Sequence, residues 1–96
     1  MNIKHKQEEN GGAFLLIENG NTCGEMTYEL SLDKALVINH TEVDEDLRGK
    51  DFGEQLVNAA VEYARSQSIK IIPVCSFACS VFEKTNEYKD VLERDK

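Results

Sequence analysis

The stretch DLRGKDFGEQL, residues 46–56, sets Arg48, Gly49 and Lys50 ahead of a helical pattern and puts Gly53 in its first turn. Upstream, ALVINHTEV (35–43) is apolar and β-branched and reads as a strand. Downstream, Phe52, Leu56, Ala60, Tyr63 and Ala64 recur at helical spacing, with Glu54, Asn58, Glu62 and Arg65 on the opposite face. A surface helix from Asp51 to Gln67 follows. IKIIPV (69–74) is a short apolar run that reads as a buried strand, with Pro73 marking an end, a bend or an edge. Two strands joined by a crossover helix run parallel. On such sheets ligands bind at the carboxyl ends of strands, near the N-terminus of the crossover helix. The first amides of a helix lack internal partners and carry the positive end of its dipole. Gly49 permits a backbone shape closed to other residues, Gly53 allows close approach, and Arg48 and Lys50 bring charge. One reading is therefore a phosphate cradle. The other is a tight turn whose basic pair offsets nearby acids.

Working outward, residues 2–8 alternate loosely and suit an edge strand, on which His5 is expected to be solvated among lysines. NGG (10–12) signals a turn, AFLLIE (13–18) a strand, and the Asn-Gly of NGNT (19–22) a hairpin. CGEMTYELS (23–31) alternates, with Met26, Tyr28 and Leu30 on one face and Glu25, Thr27 and Glu29 on the other. The first half is thus a four-stranded antiparallel meander ending in the 35–43 strand. After the fifth strand, Ser76 to Lys84 reads as a second helix with Ala78, Val81 and Phe82 inward. The charged tail to Lys96, anchored only by Tyr88, Val91 and Leu92, is expected to be a frayed amphipathic end. The fold class is α+β: antiparallel strands one to four, a helix, a parallel fifth strand and a C-terminal helix.

At 96 residues the chain reads as one domain, 1–96. Its core is modest, so a ligand or partner is expected to add to its stability. A net charge of −7 argues against nucleic acid and anionic membranes as partners. Any anion site must be a local exception to that field. No apolar run reaches the length of a membrane span, and the N-terminus has no apolar signal-peptide core. A cytoplasmic location is expected, with Cys23, Cys75 and Cys79 as free thiols. The CxxxC spacing of Cys75 and Cys79, with one further Cys and two scattered His, does not make a zinc site, so no metal is expected.

The pattern V-x-x-x-x-R-G-x-x-x-G, running from a strand into a helix, resembles the acyl-CoA loop of the GNAT acetyltransferase superfamily, usually Q/R-x-x-G-x-G/A. Arg48, Asp51 and Gly53 stand at its three fixed positions. Downstream, CSFACSVFEK lies in register with the superfamily's N-x-x-A-x-x-x-Y-x-K. Ala78 and Lys84 match, Cys75 replaces the Asn, and Phe82 replaces the Tyr. The resemblance covers about residues 13–88. It is nearest to the short GNAT-like group, in which a cysteine follows the fifth strand, HTEV precedes the loop, and the usual N-terminal helices and last strands are lacking. It implies an acetyl-CoA-dependent N-acetyltransferase with pantetheine between diverging fourth and fifth strands. Backbone at Val43 would meet the acyl end. Amides from Leu47 through Gly49, Asp51, Phe52 and Gly53 toward Glu54, with Arg48 and Lys50, would hold the pyrophosphate. The acceptor would be an amine or a protein, approaching a side left open by the missing helices.

The departures from the pattern bear on chemistry. Asp51 stands where glycine is usual, and Asp44, Glu45 and Asp46 lie close by; such acids oppose a pyrophosphate and suit a cationic acceptor. Phe82 cannot donate a proton to a departing thiolate. Cys75 offers another route, because a thiolate exchanges readily with a thioester and a helix N-terminus favours the thiolate. The plainer reading is a buried, packed cysteine. His40 is the candidate base, expected beside Cys75 across the parallel strands, with Thr41 as a hydroxyl donor to the same site. Cys79 is a neighbour or filler, Cys23 is structural, and Tyr28 or Tyr88 would be a substitute acid. The rival function is a non-catalytic acyl-CoA-binding or protein-interaction module on the same fold.

Overall fold

Alternating apolar residues and turn-forming pairs build a five-stranded sheet in the computed structural model, which describes residues 2–93. The strands are β1 (Asn2–Glu8), β2 (Gly11–Glu18), β3 (Asn21–Leu30), β4 (Leu36–Val43) and β5 (Ile71–Pro73). They lie in chain order, antiparallel through β4, with β5 parallel to β4. Helix α1 (Phe52–Gln67) is the crossover, and α2 (Ser76–Lys84) follows β5. Asn19 (φ 52°) and Gly20 (φ 81°) close the β2–β3 hairpin, both left-handed as a two-residue turn of that twist requires. The turn expected at residues 10–12 sits one step earlier: Gly11 and Gly12 are already paired in β2, leaving Glu9 and Asn10 at the tip.

One face of the sheet is dry. Phe14, Leu16, Met26, Tyr28, Leu36 and Ile38 meet Leu56, Val57, Ala60, Val61 and Ala64 of α1, and Ala78, Val81 and Phe82 of α2, in a single cluster. Ala60 and Ala64, both fully buried, let α1 lie close to the strands. The other face carries exposed Lys4, Lys6, Glu25, Glu29 and Glu42, as an antiparallel sheet covered on one side does.

Register breaks once between β3 and β4. Thr27 faces His40 while Tyr28 faces Ile38, so Asn39 is an extra residue in β4. Side chains alternate along a strand, so one extra residue reverses every face beyond it. Leu36 and Ile38 point to the helices; beyond the bulge Thr41 and Val43 do, and His40 and Glu42 turn outward. At the same level β5 ends. The amides of Val74 and Cys75 both donate to the carbonyl of Ile38, at 3.0 and 3.2 Å. Past this point β4 pairs with β3 only, and the parallel strands part.

Two expectations are corrected. The tail is docked rather than frayed as far as Glu93: Asn86–Tyr88 forms a 3-10 turn, Val91 is buried, and Leu92 bridges Ile71 in parallel. The amide of Ile71 donates to the Val91 carbonyl (2.6 Å) and that of Glu93 to the Ile71 carbonyl (2.8 Å). Arg65 holds the segment with two 2.9 Å bonds to the Asp90 carboxylate and one of 2.6 Å to the Glu87 carbonyl. An edge strand as short as β5 leaves polar backbone to be paired, and the tail supplies it. Residues 94–96 of the expected tail lie outside the described residues.

His5 is not solvated. Its ring stacks on Phe14 at 4.1 Å, meets Tyr63 edge-on at 4.4 Å, and lies 2.6 Å by Nε2 from the Tyr28 hydroxyl. Even an edge strand has one face over the core. Burial lowers the pKa of His5, and burial, followed by the neighbouring Tyr63 and Glu8, pushes Tyr28 up to about 12. In the unfolded chain His5 binds a proton near its ordinary pKa of 6.5, which the folded state resists, so stability falls as pH drops through that value. Unfolded Tyr28 ionises near 10 while the folded group stays neutral, so stability is also lost between pH 10 and about 12. Urea denaturation across pH should show both declines, the alkaline one on the order of 2 kcal/mol. His5→Gln should flatten the acid one and Tyr28→Phe the alkaline one; unchanged profiles would contradict the assignment.

Candidate functional site

The end of β4 and the start of α1 enclose an open pocket of about 470 Å³. Its walls are β4 from His40 to Val43, the loop Leu47–Gly49, the helix start Asp51–Glu54, and Phe77 from α2. Of the loop residues singled out from sequence, Lys50 does not line it.

The loop's backbone decides what the pocket presents. Glu45–Leu47 winds as a 3-10 turn, so the Leu47 amide is taken by the Asp44 carbonyl (2.9 Å) and that of Arg48 by the Glu45 carbonyl (3.3 Å). Gly49 (φ 81°) and Asp51 (φ 67°) are then both left-handed. The first bond into α1 comes only at Gln55, whose amide donates to the Asp51 carbonyl at 3.0 Å. Among the described residues, the amides from Gly49 to Glu54 therefore have no acceptor in the protein. The unpaired set is shifted toward the helix from the one expected, because the 3-10 turn absorbs Leu47 and Arg48. Alternating right- and left-handed residues aim successive amides into one concavity, which suits an anion.

Arg48 does not reach outward. Its Nε donates to the Val43 carbonyl at 3.2 Å, folding the guanidinium across the loop onto the end of β4. Glu54 sits at the rim, 3.5 Å from Lys84. Asp51 makes no side-chain cap.

Gly53 has a packing reason. A Cβ there would lie 2.6 Å from Cζ of Phe77, so only glycine lets that ring cover the first turn of α1. Sequence reading missed Phe77; its signal was a place four residues before Val81, on a neighbouring stripe of the inward face of α2.

At the split lies sulfur. Cys75 is the N-cap of α2: its Sγ accepts from the Ala78 amide at 3.4 Å and lies 3.4 Å from the Thr41 hydroxyl. The bulge is what brings Thr41 to this side. For the same reason His40 is not brought to Cys75; its Nε2 lies 3.4 Å from Glu42 Oε1 on the exposed face. Cys79 is one turn on, with Sγ donating to the Pro73 carbonyl at 3.2 Å. Cys23 is buried against the Leu16 carbonyl, and burial, helped by Glu18 and Asp44, pushes its thiol pKa up. Tyr28 is engaged by His5, and Tyr88 donates to Asn58 at 3.0 Å; neither lines this pocket. Phe82, in the register of the acid, is buried in the core. The arrangement joins an anion cradle at the helix start to a groove along the free edge of β4; Cys75 does not line that groove but meets it through Thr41, which does.

Comparison with known proteins gives the same fold. Residues 13–91 match the GCN5-related N-acetyltransferase family. A GCN5-like protein from Staphylococcus aureus, solved by NMR, is 37% identical with a TM-score of 0.72, covering 97% of this chain and 90% of that one. A streptothricin acetyltransferase-like protein from Bacillus anthracis, solved with acetyl coenzyme A, is 18% identical (TM-score 0.65), covering 81% of this chain and 47% of that one. The ribosomal-protein-S18-alanine N-acetyltransferase of Escherichia coli is 18% identical (TM-score 0.67), covering 80% and 52%. This chain spans about half the length of the last two. No curated protein matches significantly by sequence.

The Gly53–Phe77 contact is testable by stability. Gly53→Ala should destabilise by about 1–3 kcal/mol, because the ring must leave its place. Phe77→Ala in the Gly53→Ala background should recover part of that loss in a double-mutant cycle. Additive losses would show that the two positions do not touch.

Proposed function

The chain belongs to the GCN5-related N-acetyltransferase family, and from that premise we propose that it binds acetyl-CoA and transfers the acetyl group to an amine through an acetyl-cysteine on Cys75. One observation carries the reading: a single groove runs from the unpaired amides of Gly49–Glu54 to Thr41, whose hydroxyl meets the Cys75 sulfur. The pyrophosphate would take those amides, with Arg48 and Lys50 adding charge. Pantetheine would lie along β4, where Val43 offers backbone.

Cys75 Sγ would attack the acetyl carbonyl carbon. The carbon–sulfur bond to CoA breaks, and CoA leaves as a thiol carrying the proton given up by Cys75. The two sulfurs are alike, so exchange needs little driving force and no strong acid. This suits a site with Phe82 where an acid would stand. The Ala78 amide and the Thr41 hydroxyl would stabilise the attacking thiolate. An amine would then attack the acetyl carbonyl carbon; its bond to Cys75 Sγ breaks, and the proton lost by the nitrogen restores the Cys75 thiol. Asp44, Glu45 and Asp46 beside the mouth fit a cationic acceptor, either a small amine or a protein. His40, at the pocket rim, is the candidate base for that amine rather than for the thiol. The protein would act as one domain over 1–96, in the cytoplasm, without nucleic acid or membrane; among the described residues no helix is long and apolar enough to cross one.

A second reading is a non-catalytic acyl-CoA-binding or protein-interaction module. It is favoured by the missing acid at Phe82 and by His40 turning away from Cys75.

Calorimetry and intact-mass analysis with acetyl-CoA separate these. The wild type should bind and carry one acetyl group, Cys75→Ala should bind without an adduct, and Arg48→Ala should bind about 10-fold more weakly. An adduct unchanged in Cys75→Ala would remove Cys75 from the chemistry. Binding with no adduct and no transfer to a panel of amines would favour the second reading.

A further inference from the structure

Cys79 has no part in the acetyl transfer, yet it lies one helical turn from Cys75. The Cys79 amide donates to the Cys75 carbonyl at 3.0 Å, so the two residues bracket the first turn of α2. Both thiols are free and half-exposed, whereas Cys23 is buried. Cys75 Sγ contacts the Ala78 amide and the Thr41 hydroxyl, both at 3.4 Å, and Cys79 Sγ donates to the Pro73 carbonyl at 3.2 Å. We propose that Cys75 and Cys79 form a dithiol modification site for low-molecular-weight disulfides, in which Cys75 is attacked first and Cys79 resolves.

The steps balance. Cys75 thiolate attacks one sulfur of the small disulfide; that bond breaks, and one small thiol leaves with the Cys75 proton. Cys79 thiolate then attacks Cys75 Sγ in the mixed disulfide, and the second small thiol leaves with the Cys79 proton. Two protein thiols are oxidised and one small disulfide is reduced to two thiols. Access sets the order: Cys75 is the N-cap, outside the helical backbone and at the strand split, while Cys79 donates inward to Pro73.

Residues four apart on a helix have Cβ atoms about 5–6 Å apart, and a disulfide needs about 3.5–4.5 Å. The bond therefore forms only as the first turn of α2 opens by about 1–2 Å. The first turn is where a helix opens most readily, and here the opening must work against buried Ala78 and against Phe77 packed on Gly53. It removes Cys75 from both the Ala78 amide and Thr41. The oxidised protein thus loses the geometry on which the proposed transfer depends. That consequence rests on the proposed function; the disulfide itself does not.

The test uses oxidised glutathione and no acyl-CoA. Reduced protein is incubated with it, quenched in acid, alkylated and mapped by mass. The wild type should lose two alkylatable thiols, with Cys75 and Cys79 joined and Cys23 still free. Cys79→Ser should stop at one glutathione on Cys75, and Cys75→Ser should take up at least 10-fold less glutathione. A persistent glutathione adduct on the wild type, a bond to Cys23, or attack first at Cys79 would each overturn the proposal. So would retention of all three thiols. In a separate arm, the oxidised wild type should form no acetyl adduct until reduced. Persistence of the adduct there would sink the switch while leaving the dithiol site, and absence of adduct in reduced protein would fault the transfer reading instead.

Discussion

A parallel pair of strands can open only where their hydrogen-bond ladder ends, and here it ends at one carbonyl. Ile38 accepts from both Val74 and Cys75, and beyond it β4 has no partner on that side. The extra residue, Asn39, sits next to this point and reverses the faces of all that follows. Three features rest on this arrangement: the groove between the strands, the arrival of Thr41 at Cys75, and the exclusion of His40 from that contact. Without the bulge, His40 would point to the helices and Thr41 to solvent. The start of α1 completes the site from the other side, since a helix entered through two left-handed residues leaves its first amides unpaired beside the groove.

Much of this was legible from residue patterns. Alternation in β3, the Asn-Gly hairpin and the helical stripe from Phe52 to Ala64 follow from periodicities that local sterics and one buried face impose. The bulge was not legible. His40 was expected beside Cys75 across the parallel strands, and nothing in VINHTE marks the extra residue that turns it away; that is settled by pairing with β3. His5 was misread because its partners, Phe14, Tyr28 and Tyr63, come from three other elements. The docked tail was missed for a similar reason: Arg65 and Asp90 are distant in sequence and meet only after α1 and β5 fold. Gly53 was noticed as permissive, but its need for Phe77 appears only when α2 is laid against α1.

The electrostatic problem posed by a chain of net charge −7 has a local answer. Peptide dipoles do not change the net charge, yet a concavity of unpaired amides concentrates positive potential within a few ångströms. Asp44, Glu45 and Asp46 lie on the turn before the cradle, while Asp51 and Glu54 belong to it, Glu54 being offset by Lys84 at 3.5 Å. Arg48, resting on Val43, can leave a neutral carbonyl for an anion at modest cost, since an exposed hydrogen bond contributes about 1 kcal/mol. The same carbonyl would then be free for the ligand's own backbone-like amides. Family membership makes such a ligand the expected one, and the cradle proposed at residues 49–54 is how an acidic protein would hold it.

The most direct measurement is of those amides themselves. In a nitrogen–proton correlation spectrum of the labelled protein titrated with coenzyme A, the largest shifts should fall on Gly49 to Glu54, with a second set at Thr41 to Val43. Lys4, Lys6, Glu25 and Glu29 on the open face should stay still. Shifts confined to that open face, or none at millimolar ligand and low salt, would contradict the account at its root.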